Sequence, residues 1–181
     1  MKIEPEKLIE KKTIYRGNII DVSLDKVILD NGSEAIRETV YHPGAVAVVA
    51  LTNSKDILLV EQYRHPSREN LLELPAGKLE RGESPVECAK RELSEETGFE
   101  AQNWLKMNEF YTAPGFASEK MYMYYADSLT KVKTDLDEDE NIALRITPYK
   151  DALSMILSGK IKDGKTIAGL LFFESFIKSK D

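Results

Sequence analysis

Apolar and polar residues alternate in short runs over the first part of the chain, a pattern typical of β-strands. Lys12–Val40 predicts short strands with a hairpin turn at Asp30-Asn31-Gly32. The continuous apolar run Ala45–Leu51 predicts a strand buried on both faces. Asp56–Tyr63 is predicted to be its hairpin partner, and Leu71–Pro75 to be another short strand.

One helix is marked at both ends by its own residues. Ser84 can cap the helix, Pro85 suits the first helical position, and Glu87 completes a Ser-x-x-Glu capping box. Gly98 is a typical residue just after a helix end. The pattern therefore predicts a helix between Ser84 and Gly98.

The rest of the chain predicts three more strands and two more helices. The strands are expected at Trp104–Tyr111, Lys120–Ala126 and Ile142–Ile146, and the helices at Pro148–Leu157, capped by Thr147, and Thr166–Ile177. A mixed sheet with a few helices indicates an α+β fold, built as an α/β/α sandwich, and not a doubly wound parallel sheet.

Composition narrows the possible functions. The chain has 181 residues, of which 42% are hydrophobic, so it is long and apolar enough for one domain, at most with a small appended lobe. Its formal charge of −6 argues against binding the nucleic-acid backbone, because such proteins carry basic stripes. No apolar run reaches the roughly 20 residues that span a bilayer, so no membrane partner is expected.

The cysteine content indicates a reducing compartment. Cys88 is the only cysteine, so no disulfide can form within the chain. The N-terminal residues Met1–Lys12 are charged and carry no apolar signal-peptide core. We therefore expect a cytoplasmic protein with Cys88 as a buried spectator.

The predicted helix carries carboxylates beside its apolar face. At 100° per residue, Val86, Ala89 and Leu93 face the core. Glu92 and Glu96 lie at the edge of that face, with Glu95 close by. A solvated helix face is one explanation, since Glu is a good helix former.

A metal site is the other explanation for these carboxylates. Arg91 can pair with Glu95 four residues on, which would leave Glu92 and Glu96 crowded and unpaired. A hard divalent ion such as Mg²⁺ would satisfy both carboxylates. The glycine-containing loop before the helix, at Gly77 and Gly82, favours this second explanation.

The spacing of these residues matches a family signature. Gly77 is followed after five residues by Glu83, and after seven more by Arg91-Glu92-Leu93-Ser94-Glu95-Glu96-Thr97-Gly98-Phe99. This stretch resembles the 23-residue box of the Nudix hydrolases, with Phe99 as a small departure where a bulky aliphatic residue is usual.

The resemblance implies a fold, a reaction and roles for residues. Nudix enzymes fold as an α/β/α sandwich around a mixed sheet and cleave a nucleoside diphosphate linked to another group. The implied cofactor is Mg²⁺, with Mn²⁺ as a possible substitute. Glu92, Glu96 and the carbonyl of Ala76 would bind the metal, Glu95 would support it, Glu83 would assist the site, and Arg91 would orient the acidic edge.

A second motif resembles the ADP-ribose pyrophosphatase subgroup. Pro114 lies sixteen residues after Gly98, within Ala113-Pro114-Gly115 and before Ser118-Glu119. Taken alone, Pro114-Gly115 would be an ordinary type II turn. The subgroup also implies that a glutamate in the acidic loop is the general base and that a second one binds metal.

Glu138 and Glu140 fit these two roles in the loop Asp135–Glu140. Asp137 and Asp139 stay possible, and a solvated charge run is the alternative for the whole loop. The resemblance implies substrate contacts at Ile19, Ile20, Arg37, Glu38, Arg64, Lys78, Ala113, Pro114, Gly115 and Glu119.

The resemblance also implies a homodimer with shared active sites. Residues 1–42 would form a small antiparallel β region for dimerisation by strand exchange, and residues 43–181 the Nudix domain. The expected reaction is hydrolysis of ADP-ribose to AMP and ribose 5-phosphate. The alternatives are a pyrophosphatase for another nucleotide sugar, such as GDP-mannose, and a non-catalytic domain that senses ADP-ribose or nucleotide.

Overall fold

A computed structural model describes residues 3–133 and 141–178. Within these residues the chain forms ten strands and three helices, none of the helices having the length and apolar character to span a bilayer. They are β1 (Lys7–Arg16), β2 (Asp21–Ile28), β3 (Glu34–Tyr41), β4 (Ala45–Ala50), β5 (Asp56–Arg64), β6 (Glu69–Glu73), β7 (Ala76–Lys78), α1 (Pro85–Thr97), β8 (Phe99–Tyr111), β9 (Lys120–Lys131), β10 (Ile142–Pro148), α2 (Tyr149–Leu157) and α3 (Gly164–Lys178).

The first of two compact units comprises Met1–Gly44 and Tyr111–Lys120. Its sheet is an antiparallel meander in the order β1-β2-β3. The turn between β2 and β3 includes Gly32 at φ 82°, a conformation that favours glycine. The second segment of the unit is tied to β3, since Val40 donates a backbone hydrogen bond to Phe116 and accepts one from Ser118, at 2.8 and 2.9 Å.

The second unit comprises Ala45–Phe110 and Met121–Asp181. One of its sheets has the order β7-β4-β9-β8, with β4 parallel to β9 and antiparallel to β7. The other has the order β10-β5-β6 and is antiparallel. Both parallel and antiparallel pairs occur, as the sequence predicts for a mixed sheet.

Strand β4 is the centre of the second unit, and every one of its residues is buried. Ala45, Ala47 and Val49 belong to a core cluster shared with residues of α2 and α3. The alternate residues of β4 pack in a second cluster with Cys88, Ala89 and Leu93 of α1. Because successive side chains of a strand point to opposite faces, helices cover both sides of β4. This arrangement confirms the predicted α/β/α sandwich.

Two local predictions are wrong. β4 and β5 do not form a hairpin, because they belong to different sheets; the isolated bridge Leu51↔Ile57 joins the residue after β4 to β5. A strand buried on both faces needs partners on both edges, and β4 finds them in β7 and β9. Thr147 does not cap α2, because Pro148 occupies the N-cap position and makes no side-chain capping bond.

Candidate active site on helix α1

Helix α1 begins and ends as its sequence predicts. The backbone N–H of Glu87 donates to the Ser84 hydroxyl, and the Ser84 N–H donates to the Glu87 carboxylate at 3.0 Å. Gly98 adopts the left-handed conformation at φ 69° and donates its N–H to the Ser94 carbonyl. These caps satisfy backbone groups at both ends of α1 and fix where the helix begins and ends.

Arg91 gathers three glutamates of the predicted site. Its Nε donates to Glu83 at 3.0 Å, and its Nη1 donates to Glu92 at 2.8 Å and to Glu95 at 2.9 Å. The expected pairing of Arg91 with Glu95 is confirmed, whereas the expectation that Glu92 stays unpaired is wrong. A guanidinium has five N–H donors, so it can hold several carboxylates at once.

The pairing of Arg91 with Glu83 fixes the charge of both residues. The hydrogen bond to Glu83 is the largest factor that raises the pKa of Arg91, and the charge of Glu92 adds to it. In return, the hydrogen bond from Arg91 lowers the pKa of Glu83 below its usual range. Arg91 is therefore cationic and Glu83 anionic at neutral pH.

Two carboxylates of the site are buried at the edge of α1. Glu92 is 8% exposed and Glu96 is 4% exposed. The backbone N–H of Ala76, in β7, donates to Glu96 at 2.9 Å. β7 pairs with β4, so the central strand of the unit positions the segment that meets both carboxylates.

Gly77 is required by the approach of Glu92. A Cβ atom at position 77 would lie 1.7 Å from Oε1 of Glu92. This distance is far below van der Waals contact, so a side chain at position 77 would displace the end of Glu92, whereas glycine lets its carboxylate lie against β7. The glycine at the start of the predicted box thus has a steric explanation in this structure.

The donor set of this edge suits a hard divalent cation. Glu92, Glu96 and the Ala76 carbonyl offer oxygen atoms, which magnesium-like ions prefer. Among residues 3–133 and 141–178 no group of three or more His, Cys, Asp or Glu residues has metal-holding geometry. The predicted further ligand Glu140 and the predicted base Glu138 lie outside the described residues. The oxygen donors at this edge of α1 therefore fit a divalent ion. In the structure Glu92 is hydrogen-bonded to Arg91.

Arg64 lies in the same unit and is tied to a buried carboxylate. Its Nε and Nη2 each donate to Glu73 at 2.8 Å. The hydrogen bond to Glu73 is the largest factor that raises the pKa of Arg64, and the charges of Glu73, Glu96 and Asp163 add to it. The Glu96 charge therefore acts on Arg64, a predicted substrate contact.

Two charged residues beside Arg64, Glu73 and Lys165, are not predicted from the sequence. Glu73 also accepts a hydrogen bond from Lys165 of α3, which in turn donates to Asp163 at 3.0 Å. No local pattern indicates this contact, because Lys165 lies 92 positions after Glu73 in the chain. The one available signal is Glu73 itself, a charged residue next to the apolar pair Leu71 and Leu72.

Lys78 and Cys88 complete the neighbourhood of α1. Lys78 is exposed at the end of β7, and its carbonyl accepts hydrogen bonds from Arg91 at 3.4 Å and from the Cys88 thiol at 3.3 Å. Burial raises the pKa of Cys88 to about 12, and the charges of Glu83 and Glu92 add to the shift. A thiol held protonated is a poor nucleophile, as the sequence predicts for a spectator.

The other predicted substrate contacts belong to the first unit. Ile19 is exposed and Ile20 half-buried. Arg37 donates its Nε to Glu6 at 3.0 Å, and Glu38 is exposed.

The predicted Pro114 motif forms a turn in that unit. Ala113 starts the turn by accepting backbone hydrogen bonds from Phe116 and Ala117, and Pro114 and Gly115 lie exposed within it. Glu119 accepts a hydrogen bond from the Thr112 hydroxyl at 2.5 Å and lies 3.7 Å from His42.

The chain is similar to a known family and to several named proteins. The family model described as the NUDIX domain matches residues 41–170. An ADP-ribose pyrophosphatase of Bacillus subtilis (strain 168) is 42% identical over 176 residues, covering 96% of this chain and 95% of that protein. A methanol dehydrogenase activator of Bacillus methanolicus is 42% identical over 175 residues, covering 96% and 95% respectively.

The chain is also similar to a GDP-mannose pyrophosphatase and to one solved structure. A GDP-mannose pyrophosphatase of Yersinia enterocolitica is 40% identical over 156 residues, covering 78% of this chain and 80% of that protein. The crystal structure of an ADP compounds hydrolase superposes with a TM-score of 0.88 at 22% identity, over 99% of this chain and 98% of that one. At that identity the likeness concerns the fold.

Proposed function

The chain belongs to the NUDIX family, and on that premise we propose that it hydrolyses the pyrophosphate bond of ADP-ribose to AMP and ribose 5-phosphate. The observation that carries this proposal is the edge of α1, where Glu92 and Glu96 are buried and Glu92 lies against Gly77. Similarity to a named ADP-ribose pyrophosphatase along almost the whole chain supports the choice of substrate.

The proposed cofactor is a divalent cation, namely Mg²⁺ with Mn²⁺ as a substitute. Glu92, Glu96 and the Ala76 carbonyl would hold it, and Glu140 would join them. When bound, such an ion neutralises diphosphate charge and lowers the pKa of a water molecule. Arg91 supports this edge because it holds Glu83, Glu92 and Glu95 in a fixed arrangement.

Side chains would accept the proton in the proposed reaction and contact the substrate. In the proposed reaction an O–P bond forms between water and one phosphorus, and the bond from that phosphorus to the bridging oxygen breaks. Glu138 accepts the proton of the attacking water, and the departing phosphate keeps the electron pair of the broken bond. Arg64 and Lys78 would contact the diphosphate, since both are cationic and belong to the unit that carries α1.

The other substrate contacts proposed come from the first unit. These are Ile19, Ile20, Arg37, Glu38, Ala113, Pro114, Gly115 and Glu119.

We propose that the protein is a homodimer with shared active sites and that residues 1–42 form its dimerisation region. Large apolar side chains exposed in that region, such as Ile14 and Ile36, support this proposal. We also propose a cytoplasmic location, which the free, buried Cys88 fits.

The decisive experiment compares substrates and a variant. Wild-type protein with Mg²⁺ is expected to convert ADP-ribose to AMP and ribose 5-phosphate, with ¹⁸O from labelled water in one product. Glu96→Gln is expected to reduce kcat by at least about 100-fold. Glu100→Gln is the matched control, because this exposed glutamate follows α1 and belongs to no part of the proposed site.

A second nucleotide sugar is the main competitor. The similarity to a GDP-mannose pyrophosphatase, over 78% of this chain, favours GDP-mannose as that candidate. A higher kcat/KM for GDP-mannose than for ADP-ribose would replace the proposed substrate. Binding of ADP-ribose without turnover in the presence of Mg²⁺ would instead identify a sensor domain.

A further inference from the structure

Glu73 is a buried carboxylate held between two cations from different elements. Its side chain is 1% exposed, at the end of β6. Arg64 of β5 donates two hydrogen bonds to it, and Lys165 of α3 donates to its Oε2. A buried carboxylate is costly unless it is paired and hydrogen-bonded, and here both oxygens are satisfied.

The pairing with Glu73 fixes the plane of the Arg64 guanidinium. Two parallel N–H···O bonds to one carboxylate restrict rotation far more than a single bond does. The side chain of Arg64 is 40% exposed, and its Nη1 makes no hydrogen bond to any residue in the described ranges. One edge of the guanidinium is therefore used for positioning, and the other remains accessible to a ligand.

The opposite side of Glu73 is anchored to the start of α3. Lys165 also donates to Asp163 at 3.0 Å, and the Asp163 carboxylate accepts the Thr166 N–H at 2.9 Å, as a helix cap does. The Thr166 hydroxyl in turn accepts the N–H of Leu74, the residue next to Glu73, at 2.8 Å.

Residues 73–76 lead from Glu73 to the carboxylates at the edge of α1. Pro75 accepts a backbone hydrogen bond from Val48 of β4 at 2.9 Å. The next residue, Ala76, donates to Glu96. Residues 73–76 thus connect the Arg64 pair, the start of α3 and a carboxylate of the candidate active site through consecutive hydrogen bonds.

We propose that Glu73 and Lys165 are positioning residues that hold the Arg64 guanidinium in the orientation needed to bind the diphosphate of the substrate. This inference rests on the proposed function and adds two residues to it. Lys165 contributes by holding the second oxygen of Glu73, so that the carboxylate cannot turn away from Arg64. Neither residue is proposed to touch the substrate.

A double-mutant cycle between positions 64 and 73 tests this inference. The variants are Glu73→Gln, Arg64→Lys and the pair together, and each keeps a polar side chain of similar size. The readouts are KM and kcat for ADP-ribose with Mg²⁺, and the Kd for the α,β-methylene analogue of ADP-ribose, measured by calorimetry.

The expected pattern is a loss of binding that depends on Arg64. Glu73→Gln should raise KM and Kd by about tenfold with kcat changed by less than about threefold, the scale of one lost charge-assisted hydrogen bond. In the Arg64→Lys background the same change should have little further effect, since no guanidinium is left to position. Equal effects in both backgrounds, or no effect, would overturn the inference.

Two further variants separate positioning from general stability. Lys165→Met should raise Kd by a smaller factor than Glu73→Gln, and Lys165→Arg should restore it. Glu61→Gln is the matched control, because Glu61 forms an exposed pair with Arg145, on the neighbouring strand of the same sheet, and should leave Kd unchanged.

The binding measurement keeps the inference distinct from the proposed function. If wild-type protein binds the analogue but does not hydrolyse ADP-ribose, the proposed function fails and the cycle in Kd still decides the role of Glu73. If the wild-type protein does not bind the analogue at all, both fail.

Discussion

At the scale of single residues, the site depends on Gly77 through a close contact and not through an unusual backbone angle. The carboxylate of Glu92 occupies the space that any larger side chain at position 77 would need. The family signature identifies this glycine from sequence, but its steric reason requires the packing of β7 against α1, which sequence does not give.

Substitution of this glycine gives the first prediction. Gly77→Ala should displace the Glu92 carboxylate and lower ADP-ribose turnover by at least about tenfold, with little loss of stability because the displaced atoms are the end of a flexible side chain. Gly164→Ala is the control, since a Cβ there meets nothing within 4 Å. Initial rates and urea unfolding of both variants check this, and unchanged turnover in Gly77→Ala would contradict the steric argument.

At the scale of secondary-structure elements, an element is predicted correctly when the contacts that determine it lie close together in the sequence. α1 was predicted with its caps because Ser84, Glu87 and Gly98 act within a few residues of the backbone they satisfy. The pairing of β4 with β5 was wrong because strand partners are chosen along the whole chain, and β4 pairs instead with β9. The Glu73–Lys165 contact was missed for the same reason.

The cap of α1 leads to the second prediction. Ser84→Ala removes the acceptor for the Glu87 N–H and should lower the free energy of unfolding by about 1 kcal/mol. Ser94→Ala, in the interior of the same helix, should cost less, because Ala is the better helix former there. Thermal or urea unfolding checks which variant loses more stability. Equal losses in both variants would show that the cap stabilises the helix no more than an interior serine does.

The two ion pairs of the buried Glu73, which join β5, β6 and α3, lead to the third prediction, which concerns pH. Burial alone raises the pKa of Glu73, but the hydrogen bonds and charges of Arg64 and Lys165 outweigh it and lower the pKa below 4.5. The ionised carboxylate thus contributes stability that is fully present above pH 4.5 and is lost as pH falls through the lower value in the folded protein.

Unfolding measurements at pH values above and below 4.5 test the direction of this pH dependence. The free energy of unfolding of the wild type should exceed that of Glu73→Gln above pH 4.5, and the difference should shrink as the pH is lowered further. Glu61→Gln should show a much weaker trend, since its exposed pair with Arg145 is worth little. A difference that grows on acidification would mean that Glu73 is protonated in the folded protein.

At the scale of the whole molecule, an acidic chain is proposed to bind an acidic substrate. The formal charge is −6, so long-range attraction does not bring a diphosphate to the site. In the proposed function, binding would come instead from local cations such as Arg64 and from a divalent ion at the α1 edge. Sequence composition predicted the charge and the family signature predicted the acidic helix, while the distribution of ion pairs around Arg64 and Arg91 emerged only from the fold.

The final prediction concerns assembly, because strand β1 is exposed at every residue and the first unit exposes Ile14 and Ile36. Exposed apolar side chains on a small sheet are typical of a surface covered by a partner. Wild-type protein should therefore sediment as a dimer, and Ile14→Lys with Ile36→Lys should yield monomers with strongly reduced ADP-ribose turnover. Ile146→Lys, at an exposed position of the second unit, should remain dimeric and active. A monomeric wild type would refute the dimer, and fully active monomers of the double variant would refute the sharing of active sites.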